Sequence, residues 1–118
     1  MSTIILLEDD QLLNDLYTLS LVRAGYQVVQ GVNSRDIVAL AEEHQPVLIV
    51  TDLIMPDHEG MEGIFRLRKV CQAPVIAISS NAQFLRMAEP LVAATLRKPF
   101  SGDELRLLVE HVLDVPPA

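Results

Sequence analysis

Hydrophobic positions along this chain follow two alternating rhythms. Short apolar runs rich in β-branched residues occur at Thr3 to Leu7 (TIILL), Tyr26 to Val29, Val47 to Thr51, Val75 to Ile78 and Ala94 to Arg97. Continuous runs of this kind predict strands buried on both faces, as in a parallel sheet. Between them, apolar residues recur every three or four positions, the spacing of amphipathic helices. From Gln11 to Ala24 these are Leu12, Leu13, Leu16 and Leu19, with Gly25 placed to end the helix. Ser34 is placed to cap a helix carrying Ile37, Leu40, Ala41 and His44, which Pro46 closes. A third helix from about Gly60 aligns Ile64, Leu67 and Cys71, where the cysteine reads as core filling. A fourth spaces Phe84, Met87, Ala88 and Leu91 helically, although Pro90 should stop or kink it. The last opens on Ser101, with Glu104 completing a capping box and Leu105, Leu108, Val109 and Val112 facing inward.

Five rounds of strand then helix, without internal repeat or low-complexity segment, predict an α/β fold with helices on both faces of a parallel sheet. The 118 residues suit one hydrophobic core. Sixteen acids against nine bases give a formal charge of −7, and the longest cationic run is Arg97-Lys98. Direct binding to a nucleic acid backbone, which needs a basic footprint, is not expected. Cys71 is the single cysteine, so no internal disulfide can form, in keeping with a cytoplasmic protein. No stretch approaches the roughly 18 apolar residues of a membrane span, and the N-terminus lacks the pattern of a secretion signal.

In open parallel sheets, ligands sit beyond the carboxyl ends of the strands. Here the first strand ends in Glu8-Asp9, the third in Asp52, the fourth in Ser79-Ser80 and the fifth in Lys98-Pro99. Three carboxylates brought together repel one another and call for raised pKa values or a cation. The donors are hard oxygens, which favours Mg2+, or Mn2+, over zinc. Such a metal attracts a phosphoryl group, Lys98 adds a second positive charge, and Ser79 offers a hydrogen bond. Asp52 is then the candidate nucleophile, able to carry the phosphoryl group as an acyl phosphate. Taken singly, each residue has a plainer role: Asp52 as a turn residue, Glu8-Asp9-Asp10 as an acidic helix start, Ser79-Ser80 as a cap, Lys98 as a solvated charge. Their coincidence at the ends of four strands favours the chemical reading.

The motifs IILLEDD, VLIVTDLIMPDHEG, PVIAISS and LRKPF, in this order and spacing, resemble the receiver domain of bacterial two-component response regulators over nearly the whole chain. The resemblance implies a flavodoxin-like (βα)5 sandwich of strand order 2-1-3-4-5 spanning residues 1–115, with 116–118 as a tail or the start of a linker. It implies that Asp52 is the phosphoacceptor and that Glu8, Asp9, Asp52 and the Ile54 carbonyl hold Mg2+. Ser79 and Lys98 would bind the phosphoryl group, and the bond between Lys98 and Pro99 would be cis. The resemblance also sets Ile54 and Asn81 at positions that tune phosphate lifetime in this family, and an apolar Ile54 is expected to hinder water and lengthen it. Thr95 stands where the family commonly has an aromatic residue that moves with the hydroxyl, so the switch must use other groups or be weak.

The function this implies is a phosphorylation-dependent signalling switch, not an enzyme with a separate substrate. The expected partners are a sensor histidine kinase or histidine phosphotransfer protein and a downstream protein on the face made by the fourth helix, fifth strand and fifth helix. A monomer, or a weak dimer linked to phosphorylation, is expected. The alternatives are a degenerate receiver acting without phosphorylation and a Mg2+-dependent phosphatase of haloacid dehalogenase type. The latter wants an aspartate where Ile54 stands, and a flavodoxin-like nucleotide binder wants glycines where Glu8-Asp9-Asp10 stands.

Overall fold

A computed structural model describes residues 2–55 and 58–114, with the side chains of Ser34 and of 54–60 outside the description. The main sheet has five strands: β1 (Thr3–Leu7), β2 (Gln27–Gly31), β3 (Leu48–Asp52), β4 (Val75–Ser79) and β5 (Ala94–Arg97). All neighbours are parallel and the order is 2-1-3-4-5, as the family resemblance implies. The helices are α1 (Gln11–Arg23), α2 (Ile37–His44), α3 (Gly60–Leu67), α4 (Ala82–Ala88) and α5 (Gly102–Asp114). A two-stranded antiparallel ladder, Ile54–Met55 with His58–Glu59, lies between β3 and α3.

Because side chains alternate along a strand, each central strand feeds two cores. Ile4, Leu6, Leu48, Val50, Ile76 and Ile78 pack with Tyr17 and Leu21 of α1 and Leu105 and Val109 of α5. Ile5, Leu7, Ile49, Val75 and Ala77 pack on the other side with Ile37, Ala41, Ile64, Leu67, Leu85 and Ala88 of α2, α3 and α4. This double burial is what the continuous apolar runs announce. No helix among the described residues is long and apolar enough to cross a membrane.

Several local expectations are corrected. On α1 the leucine stripe is not the buried one: Leu12, Leu16 and Leu19 are 79%, 50% and 46% exposed, while Asn14, Tyr17 and Leu21 are buried. The helix carries leucines on two sides, and the one turned inward is the one that meets α5 and Phe100. Helix α3 ends at Leu67, so Cys71 lies beyond it. There the Arg68 guanidinium donates to the carbonyls of Cys71 (3.0 Å) and Ala73 (2.9 Å) and turns the chain. The cysteine still packs against the α2–α4 core, half-buried. Met87 is exposed on α4, whose inward residues are Leu85 and Ala88. Ser34 opens a short 3-10 segment, Ser34–Asp36, and it is Asp36 that precedes the first residue of α2.

Other punctuation follows the sequence. Gly25 sits at φ +102°, a left-handed conformation that glycine adopts without strain, just past α1. Pro90 ends α4 at seven residues and leads into a 3-10 turn, Glu89–Leu91. At α5 the Ser101 hydroxyl accepts from Glu104 N–H (3.1 Å) and the Glu104 carboxylate accepts from Ser101 N–H (3.3 Å), a complete capping box. The expected tail at 116–118 lies outside the described residues.

Candidate phosphoacceptor and metal site

The alternation that builds the α1–α5 core also builds the site. Counting every second residue along that face gives Ile4, Leu6, Glu8 on β1, Leu48, Val50, Asp52 on β3, and Ala94, Leu96, Lys98 on β5. Each apolar file ends in a charged group at the carboxyl edge, and the register sets Leu7 opposite Thr51 and Asp52 opposite Ile78. The strands continue pairing at their ends: Leu53 N–H donates to the Ile78 carbonyl (3.1 Å) and Lys98 N–H to the Ser79 carbonyl (2.9 Å).

The Lys98 ammonium lies 2.5 Å from Asp52 Oδ2 and 2.5 Å from Glu8 Oε1. Both carboxylates are buried. Glu8 Oε2 accepts from Asp10 N–H (3.2 Å), whereas Oε1 has no partner in hydrogen-bond geometry and relies on the ammonium charge. Burial raises the Glu8 carboxyl from 4.5 to about 7, the Asp52 charge adds to the rise, and Lys98 opposes it. Burial pulls Lys98 down, but its close pairing with the Asp52 and Glu8 carboxylates outweighs that and holds it above its ordinary value. One ammonium thus serves a pocket of acids.

Glu8, Asp9 and Asp52 each bring a carboxylate oxygen within 4.8 Å of the others. Oxygens around an octahedral Mg2+ stand about 3 Å apart when adjacent and about 4.2 Å when opposite, so the three carboxylates are near enough for one ion to be shared among them, directly or through a water. A hard, all-oxygen donor set with a buried glutamate short of compensating charge fits Mg2+. Asp9 is exposed and Glu8 and Asp52 are buried, so the cluster opens to solvent on the Asp9 side.

The remaining expected residues divide. Ser79 is buried at the end of β4, one position out of phase with the file of charges, and its Oγ accepts from Asn81 N–H (3.0 Å). Asn81 is the N-cap of α4, its Oδ1 accepting from the N–H groups of Gln83 (2.9 Å) and Phe84 (3.1 Å). Thr95 is half-buried and pairs with Ala77, which by alternation turns it toward the α2–α4 face. Ile54 begins the short ladder, and its side chain lies outside the description. The peptide between Lys98 and Pro99 is cis, as the resemblance implies. Asp10 is a helix cap, as its plainer reading has it: its carboxylate accepts from Leu13 N–H (3.2 Å).

Two residues beside the site were not singled out in the sequence. Tyr17 stacks on Phe100, ring centroids 4.7 Å apart, and so ties α1 to the loop that carries Lys98. Asn14, fully buried, bonds the backbone beneath the acidic loop. The signal available was the second stripe on α1, Asn14, Tyr17 and Leu21, in which a polar residue interrupts an apolar face.

Comparison with known proteins starts from this geometry. The family model described as response regulator receiver domain matches residues 4–110. The transcriptional regulatory protein AfsQ1 of Streptomyces coelicolor is 34% identical over 116 residues, covering 96% of this chain and 52% of AfsQ1. The transcriptional regulatory protein YrkP of Bacillus subtilis is 31% identical over 109 residues, covering 90% of this chain and 47% of YrkP. The chain therefore spans about half the length of these curated relatives. In fold, it resembles the chemotaxis response regulator CheY4 of Vibrio cholerae with a TM-score of 0.84 at 21% identity, covering 95% of this chain and 98% of CheY4. With the family model matched across both cores and all five strand ends, the chain belongs to the response regulator receiver domain family.

Proposed function

We propose that the chain is a phosphorylation-dependent switch in which Asp52 accepts a phosphoryl group from the phosphohistidine of a sensor kinase or phosphotransfer protein. The observation that carries this reading is the Asp52 carboxylate, buried at a strand end against the Lys98 ammonium and within 4.8 Å of carboxylate oxygens of Glu8 and Asp9. In the transfer, an Asp52 oxygen forms a bond to phosphorus as the phosphorus–nitrogen bond breaks, and histidine leaves as the neutral imidazole after taking up a proton. Glu8, Asp9 and Asp52, with the Ile54 carbonyl, would hold Mg2+, whose contribution is to neutralise charge on the phosphoryl oxygens. Lys98, already against Asp52, would take one of those oxygens. The Ser79 hydroxyl accepts from Asn81 N–H, which leaves its own proton to donate to another. The output is then a changed binding surface for a downstream protein, and loss of the phosphoryl group to water resets it.

Incubation with a small-molecule phosphodonor and Mg2+ tests the chemistry. A single hydroxylamine-sensitive phosphoryl label on the wild type, absent from Asp52→Asn, is the expected result. A wild type that takes up no label would overturn the reading. A second reading, a receiver that binds its partner without phosphorylation, draws support from Thr95 and the seven-residue α4. Amide NMR with beryllofluoride separates the two: shifts that spread from Asp52 to α4, β5 and α5 support the switch, and shifts confined to the site support the second reading.

A further inference from the structure

The carbonyl of Glu8 belongs to the peptide unit that joins the two acids of the first loop. Its carbonyl accepts from Asn14 Nδ2 (3.0 Å), and the peptide before it is held as well, since Glu8 N–H donates to the Gly31 carbonyl (3.1 Å). The same Asn14 amide also donates to Gly31 (3.2 Å), and its Oδ1 accepts from the Thr18 hydroxyl (3.2 Å). Asn14 is fully buried, so these partners fix its orientation. A planar peptide whose carbonyl is held is restrained from rotating, and its orientation sets the direction in which Asp9 leaves the backbone. Asp9 is exposed, so the backbone that carries it is the part of it the fold can fix.

We propose that Asn14 is a positioning residue for the metal: by fixing the peptide plane between Glu8 and Asp9, it aims both carboxylates at the point they share with Asp52. This rests on the reading of Glu8, Asp9 and Asp52 as the Mg2+ site. A merely structural asparagine would affect stability alone. A positioning one affects metal affinity as well, as groups that orient metal ligands do.

The test is a Mg2+ titration of the full chain followed by amide NMR, with no phosphodonor present. Asn14→Leu keeps the volume and removes the donors, and it should raise the Mg2+ Kd about ten- to a hundredfold. Leu21→Val, which loosens the packing of the same helix, should leave the Kd unchanged. A folded Asn14→Leu protein with the wild-type Kd would overturn the inference, as would a Leu21→Val protein that loses affinity equally. Should Asn14→Leu not fold, the wild type still decides. Asn14 side-chain amide signals that move with the same midpoint as the Asp9 amide support the inference, and signals that stay still overturn it. A wild type without any Mg2+-dependent shift overturns the metal reading itself.

Discussion

The two faces of the sheet differ in how firmly they are closed. On one face lie the longest helices, α1 and α5, of 13 residues each. They are braced against one another: a Cβ at Gly102 would collide with Ser20, so the absence of a side chain permits the approach, and Tyr17 stacks on Phe100. The other face carries helices of eight, eight and seven residues, with 3-10 turns before α2 and after α4. Helices this short depend on tertiary packing for their existence. The charged groups at the site are anchored on the firm side, Glu8 through Asn14 of α1 and Lys98 through the loop that Phe100 pins. Ser79, by contrast, hands directly to α4. The difference teaches a division of labour: fixed charge is mounted on long, cross-braced helices, and the hydroxyl is joined to an element that is cheap to rearrange.

The largest expected effect is on packing. Tyr17→Ala, at the centre of the firm face, should cost about 3–5 kcal/mol in urea unfolding, whereas Phe84→Ala on the half-buried inner side of α4 should cost about half as much. Equal losses would break the comparison. A middle-sized effect concerns pH. The folded protein keeps on Glu8, up to about pH 7, a proton that the unfolded chain gives up near 4.5, because burial disfavours the charged carboxylate. That contribution to stability is complete below about 4.5 and is lost as pH rises through about 7. Without Mg2+, Glu8→Gln should therefore flatten the decline of unfolding free energy between pH 5 and pH 8, by an amount on the order of 2 kcal/mol. An unchanged slope would mean that the buried acid is already compensated and the firm face carries no charge strain. The smallest effect sharpens the contrast on the other side. Asn81→Ala removes the α4 cap and should cost about 1 kcal/mol while leaving the Mg2+ Kd untouched, as read by urea unfolding and NMR titration. A loss of Mg2+ affinity in that variant would show the two faces to be less separate than their construction suggests.

Much of the architecture was legible because buried strands write themselves as unbroken apolar runs. The bounds read for the first and fifth strands, Thr3–Leu7 and Ala94–Arg97, are those observed. The third is displaced by one residue, since Asp52 still pairs with Ile78 and closes the strand it was read as following. The gathering of Glu8, Asp52 and Lys98 was legible for a related reason: all three terminate alternate files on one sheet face. What could not be read is which way a helix turns when it offers leucines on two sides. Leu12, Leu16 and Leu19 make as good a stripe as Leu13, Tyr17 and Leu21, and only α5 and Phe100, distant in the chain, choose between them. Asn14 stayed hidden for the same reason, because a polar residue on the wrong stripe looks like a solvated one.

Asn81 deserves a last consequence. Its backbone N–H holds the Ser79 hydroxyl while its side chain holds the first turn of α4. If that hydroxyl also shifted toward a phosphorylated Asp52, it would release an N–H belonging to the residue on which the helix begins. On the proposed reading, occupancy of Asp52 would then register, two residues beyond the neighbouring strand, as the presence or absence of a single bond at a helix start, a route that uses no aromatic side chain at position 95.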